Sequence, residues 1–298
     1  MAKMQPSVMR MTFDLPGDVY YLDISQCASI LNRRFYRQGL NWAVAGITFV
    51  DEAGGAAGTV EVTKLHNNWV TSNAWEKSMR LWNRMNKEFA LDDHPSVKPR
   101  YYDFKVHFDT SHVAGGFAQN LRPRGYSVAQ IGEWLPSEIS IPDIGGGGQS
   151  SYPLKMIGVS NASAKGVIEG YQDSRAVPTS PDPEVPSQLS LNWMSSVFRE
   201  GTLQTNAILG ELEDSNDETP YDLLRYPGAG VLPTGDDGEV VDTIKFTGTT
   251  VSSRNRIGGF NAPCGLIRIN QLAGPLVMYL DLVPGDHKGY LCQKMTEM

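Results

Sequence analysis

Residues 42–65 read WAVAGITFVDEAGGAAGTVEVTKL. The first nine are apolar and rich in strand-forming residues, and the glycine-rich residues 51–58 are typical of a turn. Apolar and polar side chains then alternate through residues 59–65, which is the period of a second strand with one buried face. Two strands this close in sequence predict a hairpin, and therefore an antiparallel sheet.

Further strand signals lie on both sides of this pair. They occur at residues 19–24, 101–109, 154–159, 240–246, 266–269 and 275–283. We find no repeat of fixed period and no heptad pattern. The sequence therefore predicts an all-β protein, a single jelly roll or antiparallel β-sandwich with long loop insertions, in which residues 1–298 form one domain.

Two short helices interrupt this pattern. Ser25 can cap the first, which we expect to continue to about Arg37. The second begins near residue 72 and carries large apolar side chains at three-to-four spacing: Trp75, Met79 and Trp82. We expect this stripe to be buried where the helix lies across the end of a sheet.

Charge is distributed unevenly along the chain. Residues 173–242 hold fourteen acidic and three basic side chains, a balance of −11 within a chain whose net charge is −7, so the remainder carries +4. We interpret residues 173–242 as an acidic loop insertion that projects outward or between subunits. The rest of the surface could then face a polyanion.

Cysteine content and hydropathy indicate whether the protein is secreted or inserted in a membrane. The three cysteines, at positions 27, 264 and 292, are odd in number and widely spaced, which indicates neither a disulfide framework nor a paired-cysteine zinc site. No stretch reaches the ~18 apolar residues of a membrane helix, and residues 1–6 lack the apolar core of a signal peptide. We expect the protein to stay in the cell that makes it.

Catalytic motifs are absent from the sequence. It contains no Gly-x-Ser-x-Gly elbow and no phosphate-binding loop. His107, Asp109 and His112 are the best metal-like group, but a catalytic zinc site needs more support than they offer, and polar residues at a strand end are the simpler explanation. We expect neither an enzyme nor a cofactor nor a bound metal.

The basic signal with the clearest pattern is Arg33-Arg34-Phe35-Tyr36-Arg37. On a helix the three arginines could follow a phosphate backbone, with Tyr36 near enough to stack on a base. Lys3 and Arg10 add to the candidate nucleic-acid contacts. A solvated helix face, or a patch of salt bridges between subunits, would explain the same residues equally well.

Several strings resemble one family. They are residues 31–39 (LNRRFYRQG), 42–46 (WAVAG), the helix from 73 to 82, 102–106 (YDFKV), 262–266 (APCGL) and 283–286 (VPGD). They are similar to capsid proteins of small circular Rep-encoding single-stranded DNA viruses. The resemblance implies a single jelly-roll subunit that self-assembles into an icosahedral shell, the virion, around single-stranded DNA.

One feature departs from that family. Its familiar members have an arginine-rich N-terminal arm, whereas residues 1–10 here hold only Lys3 and Arg10 as cations. Contact with the genome is therefore expected at Arg33, Arg34 and Arg37, and an RNA genome stays open. Two other classes also remain open: a carbohydrate- or receptor-binding jelly roll, and a metal-dependent jelly-roll enzyme.

Overall fold

The structure is a computed structural model in which contacts group the chain into two compact units. It describes residues 6–52, 54–88, 100–127, 132–142, 149–175, 192–198, 226–230, 238–247 and 253–298. The sandwich unit comprises residues 1–68, 114–135 and 238–298, and the insertion unit comprises residues 69–113 and 136–237. The grouping does not test whether residues 1–298 make one domain, which stays a prediction.

Strands outnumber helices in the described chain. In chain order the elements are β1 Arg10–Leu15, β2 Val19–Asp23, α1 Ile24–Asn32, β3 Leu40–Val50, β4 Gly58–Lys64, α2 Trp69–Asn86, α3 Thr110–Gly115, β5 Glu138–Pro142, β6 Gln149–Lys155, β7 Lys165–Gly166, α4 Val167–Asp173, α5 Trp193–Phe198, β8 Glu239–Phe246, β9 Arg254–Ile257, β10 Phe260–Ala262, β11 Leu266–Gln271, β12 Leu276–Leu282, β13 Pro284–Gly285, β14 Gly289–Tyr290 and β15 Cys292–Lys294. The coarser part of the predicted fold class, a mostly β protein with antiparallel sheets, is confirmed. The expectation of only two short helices is wrong, because α2 has 18 residues and α3, α4 and α5 add three more helices.

Two antiparallel sheets make up most of the sandwich unit. One has the order β1-β12-β3-β10, with β9 and β15 also paired to β3, and the other has the order β2-β11-β4-β8. The predicted hairpin of β3 with β4 is therefore wrong. Both strands bury an apolar face, and residues 51–57 carry the chain from one sheet to the other, so the two faces meet across the core.

The inner faces of both sheets supply one hydrophobic core. Its fully buried members include Phe13, Leu22, Trp42, Ile47, Phe49, Val60, Val62, Ile267, Met278 and Leu280. Most of these side chains recur at every second position along their strands, and in β3 the alternation shifts between Val44 and Ile47, where the register with β12 is irregular. Tyr36 and Tyr290 complete the core near Trp42.

A strap from residues 120–124 covers one side of the sandwich. The Leu121 amide donates to the Tyr21 carbonyl at 2.8 Å, and the Arg124 amide donates to the Thr12 carbonyl at 2.7 Å. These acceptors lie on β2 and β1, the outer strands of the two sheets. The strap thus supplies hydrogen-bond donors to strand edges that would otherwise be open to pairing with other chains.

The insertion unit combines a small sheet with helices. β5 pairs with β6 antiparallel, and two residues of β7 pair with β6 in parallel. The predicted strand at 101–109 is not regular: it makes a single isolated bridge, between His107 and Lys155. Residues 103–109 are all buried, so they cannot show the one-sided exposure that their alternating pattern predicts.

Helix α2 confirms the second predicted helix and begins three residues before its expected cap. Trp75 is buried and packs edge-on to Phe104 at 5.7 Å. Trp82 is half-buried and stacks on Tyr102 at 4.6 Å between ring centroids. The predicted stripe is therefore fully buried at its start and only partly buried further along.

Most of the acidic segment 173–242 lies outside the described residues. The described parts are residues 173–175, 192–198, 226–230 and 238–242. They contain α5 and the start of β8, and β8 confirms the strand predicted at 240–246.

We expect Trp42→Ala to lower the free energy of unfolding by about 3–5 kcal/mol, because the indole is fully buried and its loss would leave a cavity between the sheets. Chemical denaturation followed by circular dichroism measures the change. Leu272→Ala is the control, since Leu272 is 67% exposed and should shift stability by less than about 0.5 kcal/mol. Equal effects of the two substitutions would contradict this core.

Candidate nucleic-acid interface

Helix α1 ends earlier than the sequence predicts. It ends at Asn32, and Arg33 adopts a left-handed conformation with φ 51°. The Asn32 side chain accepts a hydrogen bond from the Val8 amide at 3.0 Å and donates to the Tyr290 hydroxyl at 2.7 Å. These contacts tie the helix end to the start of β1 and to β14, where the chain must turn towards β3. The prediction of a continuous helix through Arg37 is wrong.

The cap of α1 also differs from the prediction. Asp23, rather than Ser25, accepts hydrogen bonds from the amides of Ser25 and Gln26. The Ser25 hydroxyl instead donates to the Arg37 carbonyl at 3.0 Å and accepts from the Trp42 indole at 3.1 Å. Residues 33–37 form the arginine segment, and Ser25 therefore holds its last residue close to Trp42 of the core.

Tyr36 does not lie at the surface. It is 0% exposed, its ring centroid is 5.8 Å from that of Trp42 and 5.5 Å from that of Tyr290, and its hydroxyl donates to the Lys288 carbonyl at 3.0 Å. A ring enclosed in this way offers no face to a base. The expectation that Tyr36 stacks on nucleic acid is therefore contradicted by its burial.

At least one other cation, Lys288, contacts the backbone of this segment. Arg33 and Arg37 are exposed and Arg34 is half-buried. Lys288, which is 250 or more residues away in sequence, donates from its ammonium group to the Phe35 carbonyl at 2.8 Å. We call Arg33, Arg34, Arg37, Lys288 and Lys294 the basic end of the sandwich unit.

Electrostatic effects on neighbouring groups agree with this grouping. The pKa of His287 is lowered by burial and then by the charges of Lys288 and Lys294. Arg34 acts to lower the pKa of the Tyr290 hydroxyl, although burial raises it overall, to about 12. Sequence reasoning missed Lys288 and Lys294 because neither belongs to a local cluster of cations.

Arg10 lies at the start of β1, one residue after Met9. Its guanidinium makes a two-point contact with Asp281, with Nε to Oδ1 at 2.6 Å and Nη2 to Oδ2 at 3.0 Å. Arg254 and Arg256 also act on this carboxylate, and the three cations hold the pKa of Asp281 below its ordinary value, the Arg10 hydrogen bond being the largest cause. Lys3 lies outside the described residues.

A buried carboxylate lies behind the arginine segment. Asp23 is 0% exposed, and besides its two cap bonds it accepts hydrogen bonds from the Gln38 amide at 3.2 Å and the Trp134 indole at 3.1 Å. Burial raises the pKa of Asp23 to about 7, against the lowering effect of these four donors. The Asp23 side chain thus links the end of β2, the first turn of α1, Gln38 just after the arginine segment, and Trp134.

Two residues of the candidate metal-binding group, Asp109 and His112, make hydrogen bonds that stabilise the local backbone. Asp109 accepts from the His112 amide at 2.8 Å, as an N-terminal cap of α3, and His112 Nδ1 accepts from the Phe108 amide at 2.9 Å. The two imidazole centroids are 4.8 Å apart, and burial lowers the pKa of His107 to about 3. Within the described residues no three His, Cys, Asp or Glu side chains are grouped to hold a metal ion.

Comparison with protein-family models, with curated proteins and with solved structures gave no match to this chain. Among the helices of the described ranges, none is both long enough and apolar enough to cross a membrane.

The stability contributed by Asp23 should depend on pH. Its folded-state pKa of about 7 lies above the ordinary value of 3.8, so the folded protein binds this proton more tightly than the unfolded chain does. The contribution is complete below pH 3.8 and is lost as pH rises towards 7. We expect the unfolding free energy of the wild type, minus that of Asp23→Asn, to fall as pH rises from 4 through 7 and to become level about one pH unit above 7. Urea titrations at four pH values measure this difference, and a constant difference would contradict it.

Proposed function

We propose that the sandwich unit is a jelly roll, and the nesting of its strand pairs carries this proposal. Counted in chain order and leaving out the short β15, the strands of the two larger sheets are β1, β2, β3, β4, β8, β9 with β10, β11 and β12. The first pairs with the last (β1 with β12), the second with the second-last (β2 with β11), the third with β9 and β10, and the fourth with β8. This is the pairing of one long antiparallel ribbon folded at its middle.

Rolling that ribbon produces the remaining pairs. β12 also pairs with β3, and β11 also pairs with β4, so each half of the ribbon contributes alternate strands to two facing sheets. Jelly rolls of eight strands are found in viral capsid proteins, lectins and cupins. The insertion unit and the strap enter between β4 and β8, at the tip of the folded ribbon, where an insertion leaves the nested pairs intact.

We further propose that the chain is a capsid protein that self-assembles into an icosahedral shell around a nucleic-acid genome, single-stranded DNA in the first instance. Three observations support this function: the nested strand pairs, the scattered resemblance to capsid proteins of small circular single-stranded DNA viruses, and the basic end. Because fold alone does not determine function, the basic end is the feature that supports a nucleic-acid container over other jelly rolls. The proposed location is the virion, after synthesis in a host cell.

The purified full-length chain should form particles of one diameter, because shell subunits bury large surfaces, usually more than about 1,200 Å² per lasting interface. Electron microscopy and size-exclusion chromatography test this together, and the ratio of absorbance at 260 and 280 nm reports nucleic acid. A monomer at high concentration across pH and salt would contradict the proposal. A small oligomer that binds glycan would favour a carbohydrate- or receptor-binding protein instead.

Replacing Arg33, Arg34 and Arg37 together by Gln should lower the nucleic acid per shell and leave shell yield unchanged. Lost phosphate contacts also flatten the salt dependence of binding, by about 0.7 in log–log slope per contact on a single strand. The matched control replaces Arg80, Arg84 and Arg100, three exposed arginines of the insertion unit, by Gln. If the first triple variant loses shells while the survivors keep their nucleic acid, the arginines serve a subunit interface and the nucleic-acid assignment is wrong.

A further inference from the structure

We propose that Phe35 and Trp134 form a platform on which bases of a single-stranded nucleic acid stack. The inference rests on the proposed function and deepens its nucleic-acid site, because it specifies the strandedness of the ligand and the groups that hold its bases. It also replaces Tyr36, whose ring is buried, with two rings that reach the surface.

Both rings of the platform are partly exposed. Phe35 and Trp134 are half-buried, with ring centroids 6.3 Å apart and planes tilted by 59°. Burial alternates along the chain here, since Tyr36 and Gln38 are buried whereas Phe35 is half-buried and Arg37 is exposed. Phe35 and Arg37 therefore share the outer side of the segment.

A hydrogen bond to a buried carboxylate fixes the position of Trp134, the tryptophan of the platform. Its indole nitrogen donates to the buried Asp23 carboxylate at 3.1 Å, and that carboxylate is fixed in turn by the first amides of α1. A ring already fixed in position loses little conformational freedom when a base stacks on it. The buried carboxylate thus serves the platform as well as the helix.

Cations surround the platform on its own segment. Arg34 precedes Phe35, Arg33 and Arg37 lie two residues to either side of it, and Lys288 contacts its carbonyl at 2.8 Å. Glu133, exposed beside Trp134, opposes phosphate binding at that margin. Phosphates would lie along the cations while bases lie on the rings, which is the arrangement that binds single strands with little sequence preference.

This arrangement selects against duplexes. In a double helix the base faces stack on one another and are not available to protein rings, whereas an unpaired strand can turn its bases outward. The ligand is therefore a nucleic acid with unpaired bases. DNA and RNA share the chemistry used here, and the two are separated by comparing oligonucleotides of each sugar.

The experiment compares two strands with the same number of phosphates. The full-length chain is titrated into dye-labelled oligothymidylate of about 12 nucleotides, within the usual site sizes, and into an abasic strand of equal length. Fluorescence anisotropy gives both dissociation constants. We expect the base-bearing strand to bind about tenfold more tightly, at the low end of what stacking contributes by alanine substitution. A duplex of the same length should bind more weakly than the single strand.

Variants then identify the residues responsible for the preference for base-bearing strands. Phe35→Leu and Trp134→Leu should each reduce the preference for bases while the salt dependence of binding stays unchanged, because the cations remain. Tyr101→Leu is the matched control: this ring is 59% exposed, with the Arg100 guanidinium 5.5 Å from its centroid, but it lies in the insertion unit. Thermal melting of every variant identifies any that is misfolded.

The outcomes separate the platform from the proposed function. Equal affinity of the wild type for base-bearing and abasic strands would overturn the platform, even if shells form and retain nucleic acid. A preference for bases that survives in both leucine variants would also overturn it. Absence of shells and of binding to any strand would instead count against the capsid function itself.

Discussion

The rest of the sandwich unit depends on the hydrogen bonding of β3. Its eleven residues pair with β12 and β15 on one side and with β9 and β10 on the other. β3 therefore joins the β1–β12 pair, at the open end of the ribbon, to its own pair with β9 and β10 in one sheet. Its inward side chains, Trp42, Val44, Ile47 and Phe49, are all buried, so backbone pairing and core packing are both greatest in the same strand.

Sequence patterns located this strand from its continuous run of apolar, strand-forming residues, and located others from the period of two that burial on one face gives. β2, β3, β4, β8, β11 and β12 all lie within a few residues of their predicted positions. Partners could not be read in the same way, since each strand's pattern states only that one face is buried. The hairpin of β3 with β4 was predicted from nearness in sequence, whereas the chain uses the intervening residues to change sheets.

The candidate site was harder to predict than the fold. The cations at 33, 34 and 37 were identified, but their helical arrangement was not, because contacts from Val8 and Tyr290 end α1 at Asn32. Lys288 reaches the segment through tertiary structure alone. The same is true of the buried Asp23, whose four donors lie up to 111 residues from it along the chain. Interactions between distant residues leave no periodic signal.

The nested pairing has a consequence for how the protein is made. Arg10 on β1 contacts Asp281 on β12, 271 residues further along the chain. β1 therefore cannot pair with β12 until nearly the whole chain has been synthesised. Domains dominated by such distant contacts fold slowly. During that interval β1 and β2 lack β12 and β11, the strands with which they pair. Within the insertion unit, β5 and β6 are close in sequence and can pair as soon as both have been synthesised. This hairpin can therefore form before the sandwich sheet that contains β1.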